Sequence, residues 1–380
     1  MLYFDNAGTS WPKPEVVYQT QDRVSRQGGN PGRGVNQASL QASRLLFQTR
    51  EALGQLFGIT HLERIIFTQN ITESINVGLQ GLLYPGDHIL ISSVEHNAVV
   101  RPLEYLKEKG ISYSVIPCNP RGELDPATLG FYFRPNTRLL CCTHASNVLG
   151  SILPLNELGL IAKQHNCIFM VDTAQTAGVL PLDVEEQQID FLAFTGHKSL
   201  MGPQGVGGFY LKQGINLRPL IYGGTGVHSL DLRQPAIWPE GMESGTRNVP
   251  AISALGTGVE YILQQGLEKI RQHEIALMSV LLEGLKNLPG VRILGPEDPA
   301  SRVGLVSCIF EEYTPEEISF ELDQSYNIIT RAGLHCAPLA HRTAGTIERG
   351  ALRFSLSYFQ TESDIHALLS ALKTILGGTA

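Results

Sequence analysis

Apolar and polar positions divide the chain into two textures. Between residues 64 and 211, short β-rich runs recur at Arg64–Thr68 (RIIFT), His88–Ser92 (HILIS), Tyr113–Pro117 (YSVIP), Arg138–Thr143 (RLLCCT), Ile168–Asp172 (IFMVD), Phe191–Thr195 (FLAFT) and Gly207–Leu211 (GGFYL). They are nearly continuous in apolar residues, as strands covered on both faces are. Helical patterns at Thr72–Leu83, Ala98–Lys109 and Pro154–His165 separate several of them. That alternation predicts an α/β fold with a mostly parallel seven-stranded sheet. After about residue 250 the pattern changes. Ala251–Leu288 reads as one long helix, followed by shorter strands near Val303–Phe310 and Ala351–Ser357 and a last helix, Asp364–Leu376. The expected organisation is a large α/β domain over 16–250, then a linking helix and a smaller C-terminal α+β domain over 251–380. The N-terminal segment 1–15 is expected to pack with the smaller domain, and the tail G-G-T-A to fray.

In open parallel sheets, ligands sit outside the carboxyl ends of the strands. Polar residues follow the runs at those places. T-G-H-K-S puts Lys198 just past Phe191–Thr195, between Gly196 and Gly202. Desolvation there would lower its pKa and free a nucleophilic amine, although a loop lysine is more often a solvated charge. V-D-T-A-Q puts Asp172 and Gln175 after Ile168–Asp172. This aspartate either pairs with a buried cation or caps a helix. After Arg64–Thr68 comes Q-N-I-T-E-S-I-N, where Asn70 or Thr72 can cap a helix whose free N–H groups face a phosphate, or simply an ordinary helix. S-V-E-H-N supplies His96, able to stack on a planar ring or shuttle protons, or to be a plain loop histidine. H-A-S-N-V-L-G supplies Asn147, a hydrogen-bonding group or a turn former. Five such strand ends together favour a convergent site.

Of six cysteines, Cys118, Cys141, Cys142, Cys167 and Cys308 lie in or beside apolar runs and read as small buried hydrophobes. Cys336 differs. It stands in the loop R-A-G-L-H-C-A-P-L between Arg331 and His335, where nearby cations would favour the nucleophilic thiolate. No C-x-x-C pair marks a zinc or thioredoxin-like motif. The net charge of −7 argues against nucleic acid or an anionic membrane as partner. No apolar run is long enough to span a bilayer, and the start M-L-Y-F-D-N-A-G-T-S lacks a signal pattern, so a cytoplasmic protein is expected.

The ordered set Y-F-D-N-A-G, T-E-S-I-N, E-H-N-A, S-N-V-L-G, V-D-T-A-Q, T-G-H-K, G-P-Q-G-V-G, S-G-T-R-N, R-A-G-L-H-C-A and A-L-R-F-S-L-S resembles the class V aminotransferase-like enzymes that use pyridoxal 5'-phosphate (PLP), specifically cysteine desulfurases and selenocysteine lyases. The resemblance covers nearly the whole chain and implies fold type I. It implies that Lys198 carries PLP in Schiff-base linkage, that Asp172 pairs with the pyridine nitrogen, that Gln175 bonds the ring oxygen and that His96 stacks on the ring. Thr72, Thr195 and His197 would bind the phosphate with the Ile71 N–H. Thr246 of a second subunit would complete that site in a homodimer. Arg353 would take the substrate carboxylate, with Asn147, Asn6 and Ala7 lining the substrate site. Cys336 would accept sulfur as a persulfide, leaving alanine, and pass it to a sulfur-acceptor protein.

The compact cysteine loop is similar to that of the second desulfurase group. Four positions depart from the pattern: Ser199 and Leu200 follow Lys198, Leu334 stands where relatives often carry a first histidine, and Arg33 lies near a relative's histidine. Two other readings compete. One is another PLP enzyme of this class (cystine C–S lyase, epimerase or aminotransferase) with Cys336 incidental; the other is a catalytically silent scaffold. No residue separates cysteine from selenocysteine or cysteine sulfinate.

Overall fold

The computed structural model describes residues 1–32, 34 and 36–377, so Arg33 and the last three residues of the G-G-T-A tail lie outside the described residues. The chain opens with β1 (Leu2–Tyr3), α1 (Glu15–Ser25) and α2 (Gln37–Phe57). Next come β2 (Ile65–Thr68), α3 (Ile71–Leu82), β3 (His88–Ser92), α4 (Asn97–Lys107), β4 (Ser112–Ile116), β5 (Thr137–Thr143), α5 (Leu155–Gln164), β6 (Ile168–Asp172), β7 (Phe191–Thr195) and β8 (Gly207–Leu211). A segment without helix or strand, 212–248, leads to α6 (Val249–Gln265) and α7 (Leu267–Lys286). The remainder is β9 (Val291–Leu294), β10 (Leu305–Phe310), α8 (Pro315–Tyr326), β11 (Ile328–Ile329), β12 (Arg331–Gly333), α9 (Pro338–Thr343), β13 (Ala351–Ser355) and α10 (Glu362–Ile375).

All seven apolar runs are strands of one sheet, ordered β2-β8-β7-β6-β5-β3-β4, with only their ends shifted by a residue. Pairing is parallel except at β8, which runs antiparallel to both β2 and β7. Successive strand residues point to opposite faces. Ile89, Ile91, Leu139 and Cys141 pack with Ile75 and Leu79 of α3 and Val99 and Leu103 of α4. Leu90, Leu140, Cys142 and Phe169 pack on the other side with Leu53 of α2, Leu158 of α5 and Leu255 of α6. Two covered faces explain why the strands are apolar throughout rather than alternating.

A second sheet, antiparallel and ordered β12-β13-β10-β9, has its own core. Leu281 and Leu285 of α7, Val306 and Phe310 of β10, Leu322 of α8 and Leu368 of α10 belong to it, and so does Phe4. β1 pairs in parallel with β11.

The single long helix expected over Ala251–Leu288 is two helices. Gly266 takes φ +85° and ψ 126°, outside the helical region, where residues with a Cβ are strained. The break lies near the change of core: α6 packs on α1 and α2 beside the large sheet, and α7, after a first turn whose Ile270 still joins that core, packs on α10. Among the described residues, no helix is long and apolar enough to cross a membrane.

Candidate active site

The site lies at the carboxyl ends of the large sheet's parallel strands. β7 ends at Thr195, and the chain folds back through a turn closed by Gly202 N–H donating to Gly196 O (2.8 Å). Lys198 sits in this turn. The N-terminal segment grips its backbone: Ser10 N–H and Lys13 Nζ donate to His197 O (2.9 and 2.8 Å), and Ser10 Oγ donates to Lys198 O (2.8 Å). Burial lowers the Lys198 pKa from 10.5 to about 8. Asp172 opposes that shift, while Arg353 and Arg331 add to it.

Asp172 ends β6, the strand next to β7, and is 3% exposed. Its Oδ1 accepts the Ala174 N–H (2.8 Å), as a cap would, but the residues that follow form turns rather than an α-helix. Burial raises its pKa and the Lys198 charge lowers it. One oxygen of this aspartate thus closes a local turn rather than capping a helix, and its charge acts on the buried Lys198.

Thr68, Gly207 and Thr195 form a row across β2, β8 and β7. A Cβ on Gly207 would come within 2.9 Å of Asn70 Cα, so the start of α3 closes directly on this row. Asn70 caps α3, its Oδ1 accepting the Glu73 N–H (3.0 Å). Ile71 and Thr72 are the helix's first two residues, whose amides have no intrahelical acceptor. Thr195 Oγ1, on that row, and His197 Nδ1, two residues on, are buried with no partner among the described residues. A helix N-terminus with unpaired buried hydrogen-bonding atoms could hold an anion such as a phosphate.

His96 is the N-cap of α4. Its Nδ1 accepts the Ala98 N–H (3.0 Å), which puts the ring proton on Nε2. Burial first, then the charges of Lys198, Arg331, Arg353 and Arg101, lower its pKa to about 4, so the imidazole is neutral. Gln175 is buried and donates to Ala7 O (3.2 Å). Both amide hydrogens of Asn6 are committed, to Tyr3 O and Ser355 O (3.1 and 3.0 Å), and Ala7 N–H donates to Ser355 Oγ (2.9 Å). These bonds fix the N-terminal segment along β13.

Arg353, on β13, is 0% exposed. Nη1 donates to Asn147 O (3.0 Å), Nη2 donates to Asp5 Oδ1 (2.7 Å), and Nε is buried without a partner. The Asn147 side chain donates to His335 O (2.7 Å). This one residue therefore ties the cysteine loop to the buried arginine.

Cys336 is exposed, while Cys141, Cys142, Cys167 and Cys308 are buried and Cys118 is partly so. Its carbonyl accepts the Asn97 N–H (2.8 Å), next to the His96 cap, and Arg331 Nη2 lies 3.9 Å from its Sγ. The expectation that His335 adds a second cation fails. His335 is 3% exposed and turned inward, Nε2 meeting Ala351 O (3.0 Å), and burial drives its pKa far down. Among the described residues, Arg331 is the cation at the thiol.

Thr246 is exposed on the segment before α6. Sequence reasoning missed Asp5, Ser10, Lys13, Asn97 and Glu95. Their motifs were visible, but their partners are far along the chain or in the backbone. Glu95 is 0% exposed; it takes the Ser92 hydroxyl and the Thr143 N–H (2.9 Å), and burial raises its pKa to about 8. Among the described residues no group of His, Cys, Asp and Glu could hold a metal.

The arrangement suits an anionic, planar cofactor bearing an aldehyde. It offers an amine of lowered pKa, a buried carboxylate, a neutral imidazole and unpaired phosphate-binding atoms. A separate buried guanidinium stands by for a carboxylate.

Comparison with known proteins agrees with this geometry. A "Probable cysteine desulfurase" of Methanothermobacter thermautotrophicus is 30% identical, over 99% of this chain and 95% of that protein. A "Cysteine desulfurase" of Salmonella dublin is 33% identical, over 99% and 93%. Among solved structures, the apo cysteine desulfurase of Thermococcus onnurineus superposes with a TM-score of 0.94 at 30% identity, covering 100% of this chain and 95% of that one. The Escherichia coli cysteine desulfurase CsdA, in its S-sulfonic acid form, gives 0.89 at 29%, covering 98% and 94%. The class-V aminotransferase family itself matches residues 2–368, so the chain belongs to that family and has its α/β architecture.

Proposed function

We propose that this protein is a PLP-dependent cysteine desulfurase that converts L-cysteine to L-alanine and carries the released sulfur on Cys336. The observation behind the sulfur role is an exposed cysteine, with an arginine at its Sγ, tethered by Asn97 and Asn147 to the same elements that carry His96 and Arg353.

Lys198 would hold PLP, with Asp172 at the ring nitrogen, Gln175 at the ring oxygen, His96 on the ring face, and Ile71, Thr72, Thr195 and His197 at the phosphate. Thr246 from a second subunit would complete the phosphate site in a homodimer. PLP supplies an electron sink for the charge developed at the substrate Cα. Arg353 receives the substrate carboxylate through its free Nε–H, with Asn147, Asn6 and Ala7 around it. The Lys198 amine, neutral above about pH 8, takes the Cα proton. Cys336 thiolate attacks the substrate sulfur. The sulfur–Cβ bond breaks, a sulfur–sulfur bond forms on Cys336, the electron pair left on Cβ becomes a C–H bond by taking up a proton, and Lys198 returns a proton to Cα. The products are alanine and a persulfide, which an acceptor protein or a reductant relieves. A cycle through a free thiolate requires a reducing compartment, so a cytoplasmic location is proposed.

The deciding experiment is alanine release from L-cysteine by wild type and Cys336→Ala. Loss of at least about a hundredfold in the variant, with PLP absorbance retained, is expected for a nucleophile. Unchanged release would make Cys336 incidental and leave another class-V activity. Loss with cysteine but retention with selenocysteine would show that the thiol matters only for the poorer leaving group.

A further inference from the structure

The role of Arg353 raises the question of what holds a fully buried guanidinium in position before any substrate arrives. We propose that Asp5 is the positioning residue for Arg353: its carboxylate fixes the guanidinium by Nη2 and leaves the Nε edge free for the substrate carboxylate. The proposal rests on the reading of Arg353 given above.

Asp5 Oδ1 accepts from Arg353 Nη2 at 2.7 Å, the arginine side chain being 1% and the aspartate side chain 21% exposed. The opposite edge, Nε, is buried with no partner among the described residues. A buried guanidinium without a counter-charge is costly, and one with an unpaired N–H is poised for a further acceptor. Asp5 is itself held firmly. Its backbone bridges to Ser355, two residues after Arg353 on the same strand. Asn6 and Ala7 bond Ser355, and Gly8 and Thr9 N–H donate to Asp5 O (3.0 and 3.2 Å). The carboxylate lies against Gly8, where a Cβ would sit only 2.7 Å from Oδ2. Arg331 stands opposite Arg353 across β12 and β13, so a single negative charge here also offsets repulsion between two guanidinium groups. The same charge acts on Lys198, raising its pKa against the two arginines.

The test separates carboxylate recognition from everything else by using two amines. L-alanine carries a carboxylate and isopropylamine does not; each is titrated into holoenzyme and its dissociation constant read from the cofactor absorbance. Asp5→Ala removes the anchor, and Asp5→Asn keeps an oxygen acceptor in nearly the same volume. Asp5→Ala is expected to weaken L-alanine by about tenfold or more, as losing a hydrogen bond to a charged group does, and to leave isopropylamine unchanged. Asp5→Asn is expected to bind L-alanine within about threefold of wild type, because it can still orient Nη2. Wild-type affinity in Asp5→Ala, equal weakening of both amines, or an Asp5→Asn as weak as Asp5→Ala overturns the proposal. If the wild type itself shows no spectral response to either amine, it is the PLP reading that fails instead.

Discussion

Arg331 and Arg353 face each other as directly opposed residues of the antiparallel pair β12–β13. Like charges at such positions repel. The two side chains diverge in environment: Arg353 is fully buried against Asp5, and Arg331 is partly exposed beside Cys336 Sγ. On the proposed function, one strand pair would present an anion receptor for the substrate and a cation for the nucleophile.

Arg353→Lys should raise KM for L-cysteine by about tenfold or more while kcat falls less. An ammonium cannot donate to Asn147 O, to Asp5 and to a carboxylate in one plane as a guanidinium does. Steady-state alanine release checks this, and an unchanged KM would remove Arg353 from carboxylate binding.

The rate at which cofactor-free protein takes up PLP should rise with pH about a midpoint near 8, well below the ordinary lysine value of 10.5, because burial holds the Lys198 pKa near 8. The neutral amine is the reactive form, so uptake is slow below that pH and levels off above it. Asp172 raises the Lys198 pKa, so Asp172→Asn should move the midpoint lower still. Stopped-flow absorbance across pH 6–10 (a range chosen to be about two units either side of the midpoint) gives the result.

Asn147→Ala should lower kcat with a smaller effect on KM, since it releases the His335 carbonyl and loosens the loop that carries Cys336. The stability loss should be about 1–2 kcal/mol, the value of one buried hydrogen bond. Amide exchange at Ala337, whose N–H donates to Leu334 O, should speed up in parallel.

Glu95→Gln should stabilise the cofactor-free protein in alkali but not in mild acid. Burial first, and in part the charge of Asp172, pushes the Glu95 pKa up from the ordinary 4.5 to about 8. The folded form then holds a proton that the unfolded chain has lost, so stability present below the unfolded value is lost as pH rises through 8. Glutamine cannot ionise. At pH above about 8.5 the variant should be more stable by something on the order of 5 kcal/mol, and at or below about pH 4.5 it should match wild type. Thermal melts at the two pH values decide; parallel melting curves would show that Glu95 does not ionise in the fold.

The large sheet was legible because burial on both faces leaves an unmistakable trace, and every apolar run from Ile65 to Leu211 became a strand. The residues at the strand ends were legible for the same reason, since a polar group after a buried run has few places to go. The helix over Ala251–Leu288 was misjudged because one glycine is tolerable inside a helix, and only its positive φ reveals the break at Gly266. α1 and α2 lack the flanking strands that framed the other helices. Asp5 and Arg353 are 348 residues apart, and no local pattern announces such a pair. His335 was misread because proximity in sequence to Cys336 says nothing of which way a ring turns; its partner is the backbone of β13.

His335 and Cys336 both adopt left-handed backbone conformations, with φ of 50° and 58°. Conformations that side-chain-bearing residues rarely choose persist only where their surroundings enforce them. Here the carbonyls of these two residues are pinned to Asn147 and Asn97. On the proposed function, the cysteine that receives sulfur would have a fixed backbone address. Unloading it would then be a problem of reach for the visiting molecule: an acceptor would need a projecting thiol that comes to a stationary donor.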